Sequence, residues 1–391
     1  MGDKIFAILF IVITLGLAGA NLYAHYYEKA VLAQIENDDA AHAPYQSATF
    51  EWAAGKSYVA DVYYRIQLAM GKKAFNNFAL VKAQNSELNP GSFIVHAATD
   101  LRVTARFYGE LNAVAQRYGG KMLYYNPPLR PALSYQAYQP GMPWLDLNPK
   151  ADSFLNYLRE YGVHFTDARY SLVNSGILAP EEIMNKTDLL WTNNAAFAAF
   201  KDVVRTLENE LDAPLDTEKI YTNEDNYDFI NFPNFFLGEF GQASSGVLAG
   251  YDNFTAIMPK FNNRYLVESL SNTLGFIKKE GDAAQTLYIA ENLEKPASSK
   301  FFSHTGFLPY SYYLHGLNVM STITNLDRPN GPKVLVVHDA YALPVGCLLA
   351  PMTSELTMIN PLLGQYTPDL KKYVADKKFD IIIIMISIYS I

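Results

Sequence analysis

The segment KVLVVHDAYALPVGCLL, residues 333–349, brings residue types used in acid–base and nucleophilic chemistry close together. Its apolar start predicts a buried strand, and in open α/β sheets ligands collect at the carboxyl ends of strands. His338 could reach such a site and act as a general base. Its place within the strand, beside Asp339, favours instead a strand or edge histidine, with Asp339 as a loop residue that accepts hydrogen bonds.

A nucleophile for such a base is harder to find. Cys347 is the one cysteine, so neither an intramolecular disulfide nor a cysteine-based metal site is possible. On the helix predicted after the strand, it is best interpreted as a small buried apolar residue. Ser303 and His304 are neighbours in a loop without a visible acid partner. The sequence has no glycine-rich phosphate loop, His-Glu-x-x-His motif or calcium loop, so no cofactor and no metal are predicted.

The composition excludes several classes of protein. The chain has 391 residues, half of them hydrophobic, which is enough for one large domain or two smaller ones. Its formal net charge is −8 and no run of Lys and Arg reaches five, so we predict no nucleic-acid partner. The 28 Tyr and 23 Phe favour ordinary core and interface packing, with sugar stacking as the alternative interpretation.

The first 24 residues predict export. Residues 5–24 carry no charge and are about as many as a helix that crosses a bilayer needs; their sequence is IFAILFIVITLGLAGANLYA. It is interpreted as a signal anchor, or as a signal peptide cut after Ala20. Residues 25–49 then form a juxtamembrane linker. We expect a single-pass cell-membrane protein with an extracytoplasmic domain, or a secreted or periplasmic one if the signal is cleaved.

The rest of the chain, residues 50–391, reads as an α/β domain. Helical and strand patterns alternate from Asp100 to about residue 210, which favours a parallel sheet. The first of these helices has an N-cap candidate in Thr99 or Asp100, apolar spacing through Val103 and Leu111, and a stop at Gly119. Residues 213–330 form an irregular, β-rich insertion with strand-like runs such as FTAIMP and TLYIAEN. The final DIIIIMIS predicts a strand covered on both faces.

Four blocks, in this order, resemble the motifs of one family. They are IMNKTDLLWTNNAAFAAF (183–200), FFLGEFGQASSGVLAGYDNFTAIMPKF (235–261), PKVLVVHDAYALPVGCLLA (332–350), and MINPLL with LKKYVADKKFDIIIIM (358–385). On these blocks the chain resembles the SGNH-hydrolase-like alginate O-acetyltransferases and their relatives, the DHHW family. The resemblance implies an SGNH-like parallel sheet with helices on both faces, and acyl transfer by a Ser, His and Asp.

Residue by residue, the resemblance implies a damaged active site. Asp188 matches the triad acid, but Leu190 stands at the His position and Ala340 at the Ser position. Because nucleophile and base act as a unit, losing both predicts negligible triad chemistry. The family's pocket positions fall on four other residues: Trp191, Gly238, Asp339 and Tyr341. Three further family positions have changed type, since Glu239 replaces a Ser, and Ala243–Ser244 and Leu362 replace arginines.

The resemblance implies a role in O-acetylation of a cell-surface polysaccharide or exopolysaccharide, with the polysaccharide and a membrane O-acyltransferase as partners. Two alternatives remain open from the sequence. The chain could be a carbohydrate-binding or scaffolding subunit, with Asp188 retained as a helix cap. It could also be an active acetyltransferase or esterase that uses displaced residues such as His338 or Cys347.

Overall fold

A computed structural model describes residues 56–71, 74–75, 78–82, 88–92, 100–128, 147–174, 178–238, 250–272, 274–290, 293, 309–364 and 368–391. The predicted membrane or signal helix at 1–24 and the linker at 25–49 lie outside these residues. Within them, no helix has both the length and the hydropathy that a membrane crossing requires.

Thirteen strands occur in the described residues, and the central ones are short apolar runs. They are β1 (Ala74–Phe75), β2 (Phe78–Lys82), β3 (Leu88–Ser92), β4 (Lys121–Asn126), β5 (His164–Asp167), β6 (Tyr227–Phe236), β7 (Asp252–Pro259), β8 (Arg264–Ser271), β9 (Gly275–Asp282), β10 (Met320–Asn325), β11 (Lys333–His338), β12 (Glu355–Ile359) and β13 (Ile381–Met385).

Nine α-helices accompany these strands in the described residues. They are α1 (Lys56–Ala69), α2 (Leu101–Arg117), α3 (Asn148–Glu160), α4 (Ala168–Asn174), α5 (Pro180–Ile183), α6 (Asn193–Glu210), α7 (Ala283–Thr286), α8 (Ala342–Leu349) and α9 (Leu370–Lys377). Short 3₁₀ turns follow α8 at Ala350–Met352 and β12 at Pro361–Leu363.

The main sheet has eight strands in the order β5-β4-β13-β11-β12-β10-β8-β9. The first five are parallel, and the last three continue the sheet antiparallel. All five residues of β13 are buried between β4 and β11. The expected α/β fold with a mostly parallel sheet is therefore confirmed, and it fits an SGNH-like fold.

Side chains of the central strands alternate between two cores, one on each face of the sheet. One core packs α2, α3 and α9 against residues such as Tyr124, Leu335 and Ile384. The other packs α6 and α8 against residues such as Val336 and Ile383. A sheet with helices on both faces needs strands that are apolar throughout, which explains the unbroken isoleucine run.

Helix α2 begins and ends as the sequence predicts, but it buries a different face. Asp100 is its N-cap, and its carboxylate accepts hydrogen bonds from the Arg102 and Val103 amides. Val103, expected on the buried stripe, is 50% exposed. The buried residues are Ala105, Tyr108, Leu111, Asn112 and Ala115. Small and amphipathic residues therefore face the sheet, a choice that apolar spacing alone does not predict.

Residues 213–330 have the predicted β character, but they are not wholly a separate layer. Strands β8, β9 and β10 extend the main sheet, while β6 and β7 pair with each other as an antiparallel hairpin. The expected strand in TLYIAEN is wrong. That segment contains the end of the short helix α7, and Tyr288 then makes a single bridge to Tyr313.

Candidate functional site

A cleft of about 480 Å³ opens beyond the carboxyl end of β11. Its walls come from the segment at 182–194, the β6–β7 hairpin and the start of α8. Four residues singled out from the sequence line it: Asp188, Leu190, Trp191 and Ala340. The fold thus places the Asp, His and Ser positions of the resemblance, far apart in sequence, around one cleft of a size usual for small-ligand sites.

The segment that carries Asp188 is held by a buried carboxylate from β7. Asp252 accepts hydrogen bonds from the Lys186 amide (2.7 Å) and from the amide and hydroxyl of Thr187 (2.7 and 2.5 Å). On the other side, Asn185 donates to the Leu190 and Trp191 carbonyls at 3.1 and 3.0 Å. These bonds satisfy an irregular backbone and fix its position over the sheet.

Gly238 lies directly behind Asp188. A Cβ at position 238 would lie 2.3 Å from the Asp188 Cβ and 2.6 Å from the Thr187 carbonyl oxygen. The Gly238 amide donates to the Thr187 hydroxyl at 2.8 Å. Gly238 is therefore not one of the residues that line the cleft. It belongs to the support that holds the retained acid.

The scaffold interpretation expected Asp188 to cap α6, and this expectation is wrong. Thr192 is the N-cap, and its hydroxyl accepts a hydrogen bond from the Ala195 amide at 3.2 Å. Asp188 is buried, and its Oδ1 accepts from the Leu190 amide at 3.1 Å. The carboxylate thus closes a local turn, a common use of Asp, and this turn presents Leu190 to the cleft.

Trp191 and Tyr341 join the two loops that carry the predicted triad positions. Trp191 Nε1 donates to the Tyr341 carbonyl at 3.1 Å, and the Tyr341 hydroxyl donates to the Leu189 carbonyl at 2.7 Å. The two rings also meet edge to face, with centroids 5.3 Å apart. Tyr341 therefore contacts the site from behind and does not itself line the cleft.

Removing these two hydrogen bonds should loosen the site. We expect Trp191→Phe and Tyr341→Phe each to lower the free energy of unfolding by about 1 kcal/mol, because each leaves a carbonyl without its donor. The loss of unfolding free energy in the double variant should differ from the sum of the two single losses, because the two rings contact each other. Denaturant titration of all four proteins measures this coupling. Strictly additive losses would mean that the two loops are held independently.

Asp339 is a buried structural carboxylate at the start of the loop after β11. Its Oδ1 accepts from the Tyr341 amide at 3.1 Å, and its Oδ2 accepts from the Ser387 amide at 2.7 Å and the Ser390 hydroxyl at 3.2 Å. Burial raises the pKa of Asp339, and these hydrogen bonds oppose the rise. The residue ties the loop of Ala340 to the end of β13 and is not among the cleft-lining residues.

The two displaced-residue candidates are buried away from the cleft. His338 is 2% exposed, and its Nδ1 donates to the Asp339 carbonyl at 2.7 Å. Burial lowers its pKa to about 4. Cys347 is fully buried in α8, and burial raises its pKa. Neither residue lines the cleft. A neutral, enclosed thiol is a poor nucleophile.

The burial of His338 predicts a loss of stability in acid. An unfolded histidine binds a proton near pH 6.5, whereas the folded one does so only near pH 4. The stabilisation is therefore complete above pH 6.5 and is lost as the pH falls toward 4, by up to about 3 kcal/mol. The raised pKa of Asp339 acts in the opposite direction. Urea titrations at pH 7 and pH 4.5 should show this loss, and His338→Gln should reduce it. An unchanged difference in the variant would rule out His338 as its source.

The described lining of the cleft holds no Ser, His or Cys. It holds instead five asparagines and five aromatic residues: Asn185, Asn193, Asn194, Asn231, Asn253, Trp191, Phe229, Phe236, Phe254 and Tyr313. Those from the β6–β7 hairpin were missed by sequence reasoning. Their signal was the alternation of aromatic and Asn residues along residues 227–236, which puts Phe229 and Asn231 on one face of β6.

Of the remaining sequence-predicted positions, one is described by the structure and lies outside the cleft. Leu362 is 51% exposed in the 3₁₀ turn after β12 and does not line it. Glu239, Ala243 and Ser244 lie outside the described residues, as does the pair Ser303 and His304. No group of three or more His, Cys, Asp or Glu in the described part of the chain could hold a metal ion.

Solved structures match this architecture over most of the chain. Bacillus cereus PatB1 with a sulfonyl adduct superposes with a TM-score of 0.60 at 16% sequence identity, over 80% of this chain and 96% of PatB1. A DHHW family protein from Eubacterium siraeum DSM 15702 superposes with a TM-score of 0.56 at 14% identity, over 81% of this chain and 92% of its own. This chain has the fold of a DHHW family protein.

The DHHW fold confirms the resemblance that the four sequence blocks indicated. At these identities the similarity concerns the architecture, and the chemistry depends on the residues of the cleft itself. No family model and no curated protein matches the sequence. At the positions that the resemblance aligns with the family's His and Ser, this chain has Leu190 and Ala340, both partly exposed in the wall of the cleft.

Proposed function

We propose that the protein is a non-catalytic relative of the polysaccharide O-acetyltransferases, which binds a cell-surface polysaccharide or exopolysaccharide in this cleft. One observation carries the proposal: Ala340 and Leu190 line a cleft whose described wall contains no Ser, His or Cys. The acyl transfer that the resemblance implies needs a Ser with a His in reach, and the described wall supplies neither. Asp188 remains, and its carboxylate accepts a hydrogen bond from the Leu190 amide.

The lining supports carbohydrate binding. Phe229 is 41% exposed, although its ring packs edge to face on Phe197. Such a fixed, half-exposed ring offers a flat face for the C–H groups of a sugar. Asn231 and Asn194 are exposed beside it, and an amide side chain can donate and accept hydrogen bonds to hydroxyl groups. An aromatic platform flanked by amides is well suited to a polyhydroxylated ring.

The charge of the cleft favours a neutral glycan over a polyuronate. Its described charged residues are three carboxylates, Glu182, Asp188 and Asp252, and one ammonium, Lys186. The net charge of the whole chain is also negative, at −8. An anionic polymer would meet like charge both at long range and in the cleft. We therefore expect neutral oligosaccharides to bind at least tenfold more tightly than oligouronates of equal length, by titration calorimetry at low salt. Tighter binding of the oligouronate would contradict this expectation.

The setting of this function rests on the N-terminal sequence. An uncharged segment at 5–24 supports export, with a single-pass membrane anchor or a cleaved signal, and an extracytoplasmic site of action. A membrane O-acyltransferase is the partner that the family resemblance suggests. In this scheme the partner supplies acetyl groups and the present protein holds the polymer.

Two assays test the absence of catalysis. The protein should hydrolyse 4-nitrophenyl acetate no faster than a heat-denatured sample, and a fluorophosphonate probe should leave its mass unchanged. Stoichiometric labelling would overturn the proposal and support the use of displaced residues. Binding of glycans to the folded protein then tests the proposed carbohydrate binding, with Phe229→Ala and Asn231→Ala as cleft variants. The matched control is Phe276→Ala, since Phe276 is 66% exposed on β9 and does not line the cleft.

A further inference from the structure

Helix α1 has an apolar face that is open to solvent. Val62, Tyr63, Ile66 and Met70 are each at least 40% exposed. At 3.6 residues per turn, these positions fall within an arc of about 100°. Met70 continues the last turn of the helix, because its amide donates to the Ile66 carbonyl at 3.0 Å. Tyr64, on the opposite side, is 8% exposed, so the helix packs on the protein through that side. An apolar arc of this width is one that a helix normally buries, which marks it as an interaction surface.

Basic residues flank this apolar face. Arg65 is exposed at its edge, and Lys56 begins the helix. Lys72 and Lys73 follow directly after it, and Asp61 is the one carboxylate between residues 56 and 73. This short segment is therefore basic in a chain whose net charge is −8. Cations beside an exposed apolar stripe are typical of a helix that lies in the headgroup region of a bilayer.

The chain itself ties α1 to a membrane surface. Residues 5–24 are the proposed anchor, and α1 begins at Lys56. The residues between them, 25–55, span at most about 110 Å even when fully extended. A helix tethered within this distance meets the bilayer as an intramolecular partner, which raises its effective concentration at the surface. A weak attraction is then sufficient to hold it there.

The apolar arc, its cations and the tether point to one occupant. We infer that α1 lies in the interface of a phospholipid bilayer, parallel to the membrane plane. The four apolar side chains would enter between the acyl chains, and the flanking cations would bind lipid phosphate groups. Tyr63 suits this depth, because a tyrosine ring is apolar and its hydroxyl is polar. This inference rests on the proposed membrane anchor and goes beyond glycan binding, since it would orient the domain on the membrane.

The negative charge of the whole chain does not prevent this contact. Electrostatic interactions in water are screened over about 8 Å at physiological ionic strength, so the headgroups sense mainly the charges of α1 and its flanks. Each cation near an anionic surface strengthens binding roughly fivefold. With three net positive charges between residues 56 and 73, an anionic bilayer should hold α1 at least about tenfold more firmly than a neutral one.

The experiment uses the full chain, reconstituted in vesicles and labelled at one site. Cys347 is the single native cysteine and is buried, so an NBD fluorophore reacts selectively with the new thiol of Met70→Cys. Its emission should shift to the blue in vesicles of equal parts phosphatidylcholine and phosphatidylglycerol, and lipids with brominated acyl chains should quench it. The matched control is Phe276→Cys, because Phe276 on β9 has the same 66% exposure as Met70. The label at that position should stay in water. Flotation through a density gradient shows whether the protein is bound to the vesicles at all.

Removing one apolar contact should release the helix. Adding Ile66→Asp to the labelled Met70→Cys protein should lower the ratio of docked to free helix about tenfold, because a buried apolar side chain is lost. The matched variant is Val103→Asp, since Val103 is 50% exposed on α2, compared with 53% for Ile66. This second change should leave the fluorescence signal as it was.

Each outcome supports the inference or overturns it. A blue shift and quenching at position 70, absent at position 276, lost in Ile66→Asp and kept in Val103→Asp, support it. Protein that floats with the vesicles while the label at position 70 stays in water overturns it and leaves the anchor standing. Protein that floats with neither anionic nor neutral vesicles overturns the proposed membrane setting as well, whereas glycan binding is measured without vesicles.

Two further results would overturn parts of the inference. Equal signals in vesicles of phosphatidylcholine alone would overturn the role of the cations. A blue shift that brominated lipids do not quench, and that grows with the ratio of protein to lipid, would mean that a second copy of the chain covers the face, and would overturn the bilayer as its occupant. If Ile66→Asp fails to fold, the labels at positions 70 and 276 still decide.

Discussion

A protein that carries Ala340→Ser together with Leu190→His is expected to hydrolyse 4-nitrophenyl acetate at least about tenfold faster than the unchanged protein. Both side chains line the same cleft and are partly exposed, so a hydroxyl and an imidazole would share one solvent-accessible space. Asp188 is still in place to orient the imidazole. Each single change should stay at background, because a serine without a base and a histidine without a nucleophile are both inactive.

The expected gain is small for a physical reason. An active site of this class also needs donors for the oxyanion, and the loss of one such donor costs about a hundredfold or more in rate. Glu239, at the family's Ser position, is the third change to add, as Glu239→Ser. A burst of covalent acetylation, detected by mass, would also count as restored chemistry.

The control variant keeps the introduced histidine in the cleft but places it at a different position. Asn194→His places an imidazole in another exposed, cleft-lining position, so Ala340→Ser with Asn194→His should remain at background. Melting temperatures must show that all variants fold. Folded triple variants with neither turnover nor acetylation would mean that positions 190 and 340 do not face each other. The carbohydrate-binding interpretation would then remain, but positions 190 and 340 would not be former positions of a catalytic triad.

Gly238→Ala is expected to destabilise the protein by about 2–3 kcal/mol, a typical cost of overpacking. The new Cβ would lie 2.3 Å from the Asp188 Cβ and 2.5 Å from its Oδ2. Neither atom belongs to the free end of a long flexible side chain, so the backbone of the segment at 186–190 has to move. Because Asp252 and Asn185 hold that segment in place, the movement should disturb Leu190 and Trp191 as well.

Denaturant titration measures this effect, and Gly119→Ala is its control. Gly119 has a φ of +82° with nothing within 4 Å of an added Cβ, so its substitution costs only about 1 kcal/mol of backbone strain. If Gly238→Ala lowers the free energy of unfolding no more than Gly119→Ala does, the segment that carries Asp188 moves easily. In that case the cleft wall would not be a rigid frame for a ligand.

The sequence predicts the parts of this molecule that depend on one-dimensional patterns. Three features could be predicted because hydrophobic period and helix capping are local properties. They are the isoleucine run of β13, the Asp100 cap of α2 and the strand ending at His338. The family resemblance carried by the four motif blocks implied that Asp188 and Ala340 share one site, and both line the cleft.

The parts that escaped prediction depend on tertiary packing. The buried face of α2 is set by Tyr108 and Ala105 against the sheet, whereas the apolar Val103 points to solvent. The second wall of the cleft comes from β6 and β7, and no local pattern says where a hairpin will fold back. Gly238 and Tyr341 were assigned to the pocket, but they support its lining residues from behind.

The position of β13 also bears on how the chain folds. Its neighbours in the sheet are β4, where Ile381 pairs with Lys121, and β11. Until β13 is inserted, β4 and β11 each keep an unpaired edge, and two apolar surfaces stay uncovered. Pairings between such distant segments close slowly, because the loop entropy is lost before the contacts form. A chain emerging gradually from a ribosome or a translocation channel therefore has to be kept from aggregating until residue 385 is free. Folding chaperones at the site of emergence are the natural remedy.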